Sequence, residues 1–210
     1  DLMTFSLCMA FASVFLRHFV EIRPIIINLH GNSTGGKSTN LNVAASVFGW
    51  DGDSPEGYFK WNTSRVGLEG SCIAKNDSLL CLDELSSTNN DKRGIDIAAS
   101  VYDIIGGKDR TRGNASGGNR TPNTWRVLVL SSGEYTIDAI LKKKGEDCPA
   151  GVVNRFVDIY AVDYKYGSFN NIHEFETPSD FADNLVNTTN AYKGTAIIDF
   201  LEKILKDDFK

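Results

Sequence analysis

The sequence predicts an α/β fold on a five-stranded, largely parallel sheet flanked by helices. Three observations carry this. Strand and helix signals alternate from residue 25 to residue 162 without an internal repeat, as in strand–helix units stacked on a parallel sheet. The buried-strand run Ile25-Ile26-Ile27-Asn28-Leu29 passes through a Gly-rich turn at 31–36 into a helical pattern. A second apolar run, Leu79-Leu80-Cys81-Leu82, ends in two adjacent acids, Asp83 and Glu84. At 210 residues, 41% hydrophobic and 23% charged, the chain suits one domain plus a small appendage, and disorder or a collagen-like repeat is excluded.

The elements follow in order. Residues 2–20 are apolar, interrupted by Thr4, Ser6 and Ser13 and followed by Arg17 and His18 near their end. The stretch is short for a bilayer span and lacks a basic leader, so it predicts a buried leading helix and no membrane contact. A chain opening on Asp is expected to be a piece of something longer. After the first strand, Leu41, Ala44, Ala45 and Phe48 share one face of a helix over 37–48. Gly57–Trp61 reads as a second strand, and Thr63 as the cap of a helix to about Lys75. Ser86–Arg93 is polar loop, and a helix over 94–105 stops at Gly106-Gly107. Arg126–Leu130 is the fourth strand, ending at Ser131-Ser132; Thr136 caps a helix that Gly145 stops; Phe156–Val162 is the fifth strand. Thr177-Pro178 starts a helix to about Asn190, and a last amphipathic helix covers 195–207. The expected division is a core over 1–164 and a helical appendage over 165–210.

The Gly-rich turn is chemically specific. Gly31-Asn32-Ser33-Thr34-Gly35-Gly36-Lys37-Ser38 fits G-x-x-x-x-G-K-[ST], followed by Thr39. Glycines let such a loop curl its N–H groups around phosphates, and the helix behind it presents its positive end. Lys37 reaches the β/γ-phosphates and Ser38 offers a hydroxyl to Mg²⁺. One strand–helix unit later, Asp83 is placed to hold the Mg²⁺ of the nucleotide and Glu84 to orient and deprotonate an attacking water. Ser132 ends the fourth strand, where ligands of such sheets sit, and is a candidate γ-phosphate sensor; a plain Ser-Gly turn is the alternative.

Several strings carry a resemblance: His30 to Gly49, Trp61-Asn62-Thr63, Gly67-Leu68-Glu69, Asn76-Asp77, Gly107-Lys108-x-Arg110, Trp125 through Glu134, and Tyr192 through Ala196. Together they resemble the family called domain of unknown function 927, which is similar to AAA+ P-loop ATPases of phage and mobile-element replicative helicases. The resemblance implies a P-loop NTPase with strand order 5-1-4-3-2, ATP and Mg²⁺ as ligands, and a ring or other homo-oligomer. In such rings an Arg-Phe step can carry a finger acting on the neighbour's nucleotide. Arg155-Phe156 resembles it, with Arg110, Arg112 and Arg120 as rivals and a surface salt bridge as the alternative.

The charge distribution bears on nucleic acid. The chain carries −5 overall, against a whole-surface nucleic-acid binder. Residues 104–126 nevertheless hold Lys108, Arg110, Arg112, Arg120 and Arg126 against Asp109, a net of +4, leaving −9 elsewhere. We read 106–124 as a Gly/Asn-rich loop or hairpin beside the ATP site that contacts DNA backbone through Lys108, Arg110, Arg112 and Arg120; a bare surface loop is the alternative. Cys8, Cys72, Cys81 and Cys148 have no metal or pairing spacing, as for reduced thiols in a cytoplasmic protein. The leading expectation is a Mg-dependent ATP hydrolase, the motor of a helicase or primase-helicase. A nucleotide-gated switch with little turnover and a P-loop small-molecule kinase are the competing readings.

Overall fold

Three consecutive isoleucines open the strand around which the sheet is assembled. The computed structural model describes residues 1–19, 21–50, 59–85, 96–110 and 120–206. In it, β1 (Ile25–His30) lies between β4 (Val127–Gly133) and β5 (Phe156–Tyr160), and β3 (Ser78–Asp83) separates β4 from the short β2 (Phe59–Lys60). The order is β2-β3-β4-β1-β5 and every pairing between these strands is parallel. This is the expected 5-1-4-3-2 sheet of a P-loop NTPase, read from the other edge.

Both sheet faces are covered, so the central strands are mainly apolar rather than alternating. Leu79 and Cys81 of β3 join Leu29 and Leu130 on one face, under α1 (Leu2–Ser13) and α2 (Lys37–Ser46) with Met9, Ala10, Leu41, Ala44 and Ala45. Leu80 and Leu82 join Ile26, Val127 and Val129 on the other, under α3 (Arg65–Ala74), α4 (Ile97–Gly106) and α5 (Ile137–Lys143). The switch of face follows the strand period of two. A short α6 (Ala150–Val153) leads into β5. Then α7 (Pro178–Tyr192) packs on α2, and α8 (Thr195–Lys206) sets Phe200 against Phe11 at 4.7 Å between ring centroids.

Several boundaries differ from expectation. The leading helix ends at Ser13 and gives way to a 3-10 turn over Leu16–His18, because Phe15 N–H bonds back only three residues, to Ala12. It is half-buried, with Phe5 exposed. Ser64, not Thr63, caps α3, accepting from Gly67 N–H at 3.0 Å. Asp96 caps α4, accepting from Ala99 N–H at 2.9 Å. Strand β4 runs on through Ser131 and Ser132 to Gly133, because Asn28, Leu29 and His30 of β1 stay in register with them. Thr136, Thr177 and the stop at Gly107 (φ 67°) are as expected. The expected polar loop at 86–93 and Arg112 lie outside the described residues. All four cysteines are unpaired. Among the described residues no helix is long and apolar enough to cross a membrane, and no group of three or more His, Cys, Asp or Glu could hold a metal ion.

Candidate functional site

Parallel strands put the carboxyl ends of β1, β3 and β4 on one edge of the sheet, where crevices for ligands form. The first contributor is the 31–36 loop between β1 and α2. Left-handed backbone at Thr34 (φ 62°) and at Gly36 (φ 83°), which caps α2, curls it into the kind of N–H concavity that binds anions. The curl leaves no room for side chains at its glycines: a Cβ on Gly35 would sit 2.2 Å from Val162 Cγ1. Lys37, at the first position of α2, folds back and donates to the carbonyls of Gly31 (2.9 Å) and Asn32 (2.6 Å). Its burial lowers the ammonium pKa below the ordinary 10.5, against the pull of Glu134 and Asp83. Asn32, Ser33 and Thr34 are exposed at the loop tip, where Ser33 Oγ donates to Glu134 Oε1.

The second contributor is the end of β3. Asp83 is buried and its carboxylate gathers three donors: Ser132 Oγ from β4, Glu84 N–H at 3.0 Å, and Ser38 Oγ from α2 at 3.2 Å. Four sequence-predicted residues, Lys37, Ser38, Asp83 and Ser132, therefore converge on one edge, and Glu84 is the next residue beyond it. A hydroxyl and a carboxylate at this separation are hard oxygen donors of the type Mg²⁺ takes alongside waters and phosphate oxygens. Glu84 has a left-handed backbone (φ 62°), and its half-exposed carboxylate meets Lys60 Nζ of β2 at 3.2 Å.

Sequence reading missed the groups that brace this edge. Ser168 clamps the Gly35 carbonyl with its hydroxyl (2.6 Å) and its N–H (2.8 Å). Asn40 donates to Gly36 O at 2.9 Å and to Ser168 Oγ at 3.2 Å. Gly167 (φ 74°) allows the close approach, since a Cβ there would lie 2.8 Å from Gly35 O. Below the loop a buried relay crosses the sheet: Trp61 Nε1 donates to Ser131 Oγ (2.8 Å), Ser131 Oγ to Asn28 Oδ1 (3.2 Å), and Asn28 Nδ2 to Asp158 Oδ1 (2.7 Å). Burial pushes the Asp158 carboxyl above the usual carboxylate range, offset in part by Asn28 and Ile137 N–H. The only local signals were Tyr-Gly-Ser-Phe at 166–169 and a polar residue, Asn28, inside an apolar strand.

Other predicted residues lie elsewhere. Arg155 precedes β5, its carbonyl accepting from Ile26 N–H at 2.8 Å. That is the amino edge of the sheet, about 17 Å along β1 from the 31–36 loop at 3.3 Å per residue. The basic loop also starts from that amino edge, not beside the 31–36 loop, because α4 carries the chain back across the sheet before β4 begins. Its neck is an antiparallel bridge, Lys108 to Thr124, pinned by Asp109, which accepts from Asn123 N–H and Nδ2 at 2.7 Å each. Lys108, Arg110 and Arg120 are exposed. Arg126 is taken out of the basic set by a two-pronged pair with Asp77 at 2.7 and 3.0 Å.

Comparison with known proteins agrees with this fold. The family model described as "Domain of unknown function (DUF927)" matches residues 1–124. That is more than half of the chain, and the chain belongs to this family. The solved structure described as "SCCmec type IV Cch - active helicase" is 25% identical, with a TM-score of 0.64, over 98% of this chain and 34% of that one. The chain thus spans about a third of the helicase it is similar to. NtrX from Brucella abortus, in complexes with ADP and with ATP, is 12% identical at a TM-score of 0.37, over 85% and 88% of this chain and 49% of that one. No curated protein matches. The chain therefore shares its fold with part of that helicase structure.

Proposed function

We propose that this member of the family is a Mg-dependent ATP hydrolase, the motor domain of a DNA helicase or primase-helicase of a phage or mobile element. The observation that carries the reading is the convergence of Lys37, Ser38, Asp83 and Ser132 above a loop whose glycine positions are too tight for side chains, with Glu84 beside them. Lys37 exchanges two loop carbonyls for β/γ-phosphate oxygens. Ser38 and Asp83 hold Mg²⁺, which when bound neutralises charge between the β- and γ-phosphates. Glu84 leaves Lys60 and takes the proton of the attacking water, a role worth about 10²–10⁴ in rate. Ser132 reports the γ-phosphate to Asp83. Arg155, at the opposite edge, serves the neighbouring subunit's nucleotide in a homo-oligomeric ring. The 25% identity to an active helicase supports the motor reading, and the exposed Lys108, Arg110 and Arg120 support a contact with DNA backbone.

The Lys60–Glu84 pair favours one second reading, a nucleotide-gated switch with little turnover. An ion pair this exposed is worth only about 0–1 kcal/mol, so it delays hydrolysis without preventing it. The test is phosphate release with and without single-stranded DNA, across salt, for wild type and a Lys108/Arg110/Arg112 triple alanine variant. We expect a slow rate that rises with protein concentration and with DNA. The triple variant keeps the basal rate, needs more DNA for the same response, and shows a salt slope of that response shallower by about 2. A DNA response unchanged in the variant removes the loop from the account.

A further inference from the structure

A cavity of about 350 Å³ adjoins the phosphate loop. One wall is the loop and the start of α2, including Thr39. The other is Tyr166, Phe169, and Pro178, Ser179 and Ala182 from the first turns of α7. The volume is at the small end for ligand sites, about 300–1,000 Å³, so it suits part of a nucleotide rather than a polymer. Its character changes along its length, from N–H groups and Lys37 at the loop to aromatic and apolar groups at the far wall.

We propose that this cavity seats the adenine of the nucleotide whose phosphates the loop holds, and that Tyr166 is the base-contacting side chain. The proposal rests on the phosphate-binding reading of 31–38 and adds the base subsite to it. Phe169 is buried and its ring fills the space a Cβ on Gly36 would occupy, at 2.7 Å, so it forms a fixed floor. Tyr166 is half-buried and tied to Phe169 by N–H to carbonyl bonds in both directions, at 3.2 and 3.4 Å. Lys165 Nζ stands 4.8 Å from the Tyr166 ring centroid. An aromatic ring held at a cavity wall next to a phosphate site is what a flat base stacks on, and the hydroxyls of Thr39 and Ser179 supply polar atoms for its edge. Ser168 joins the subsites mechanically: it sits between Tyr166 and Phe169 and clamps the Gly35 carbonyl.

The test compares equilibrium binding of Mg·ATP and Mg·tripolyphosphate, which shares the phosphates and lacks the base. For Tyr166→Ala, ATP affinity is expected to fall roughly 5- to 150-fold, the range for losing one stacked base, while tripolyphosphate affinity stays within twofold. Tyr166→Phe is expected to bind both like wild type. Ala182→Phe fills the cavity from the α7 side and is expected to reproduce the ATP-selective loss, which guards against an unfolded Tyr166→Ala. An equal loss for both ligands, or no loss for ATP in either cavity variant, overturns the base subsite and leaves the phosphate reading standing. Failure of wild type to bind tripolyphosphate or ATP overturns the phosphate reading itself.

Discussion

The tightness of the phosphate loop makes a quantitative prediction about Gly36→Ala. Two costs apply. The residue caps α2 at φ 83°, and left-handed backbone costs an L-residue about 1–2 kcal/mol. The new Cβ would lie 2.5 Å from Ser168 Oγ and 2.7 Å from Phe169 Cζ; relieving such an overlap in a packed region costs about 1–3 kcal/mol. The sum is roughly 2–5 kcal/mol, or about 4–20 °C in Tm for a domain of this size. Gly70→Ala is the internal control: it lies within α3 with nothing within 4 Å of a Cβ. It is expected to stabilise by about 0.4–1 kcal/mol. Urea unfolding followed by tryptophan fluorescence measures both. If Gly36→Ala unfolds within 0.5 kcal/mol of wild type, the loop does not pack on Ser168 and Phe169 as described.

Two further predictions concern groups beneath and beside the loop. Only the ammonium form of Lys37 pairs with phosphate, and its pKa is lowered by burial. Affinity for ATP should therefore be full at neutral pH and decline as pH rises through that lowered value, before the ordinary 10.5. Binding measured from pH 7 to 10.5 should show the decline in wild type and not in Lys37→Arg; a flat wild-type profile contradicts the role given to Lys37. Separately, Ser131→Ala strands the buried Trp61 N–H, costing about 1–3 kcal/mol. A thermal melt should register this as a loss of about 2–12 °C, and an unchanged Tm would show that the relay from Trp61 to Asp158 carries no net stability.

What could be read from the chain beforehand was whatever is local. The 31–38 loop and the Leu79–Glu84 strand are contiguous strings whose spacing is itself the structure. The caps at Thr136 and Thr177 need only their own first turn. At 63–64 two hydroxyl residues are adjacent, so composition does not choose between them, and the bond from Gly67 N–H does. Ser168 and Asn40 escaped notice because the clamp joins residues 133 positions apart, and nothing local marks Ser168 as a partner of Gly35. The strand order came from resemblance rather than from spacing. The site of the basic loop was deducible from parallel topology, since an α-to-β connection always lies at the amino edge, yet the string Gly106–Arg126 does not display this. Arg126 reads as one more basic residue until Asp77, 49 positions away, takes it.

Glu84 carries the proposed hydrolysis most directly. With Glu84→Gln, ATP affinity should stay within about threefold of wild type, because the phosphate loop, Ser38 and Asp83 are untouched. The single-turnover hydrolysis rate should fall at least about 100-fold, the lower bound for losing a positioned general base. A variant that binds ATP normally and no longer cleaves it is the predicted result. Hydrolysis within about threefold of the wild-type rate would contradict the assignment of Glu84, and with it the reading of this edge as a hydrolytic site.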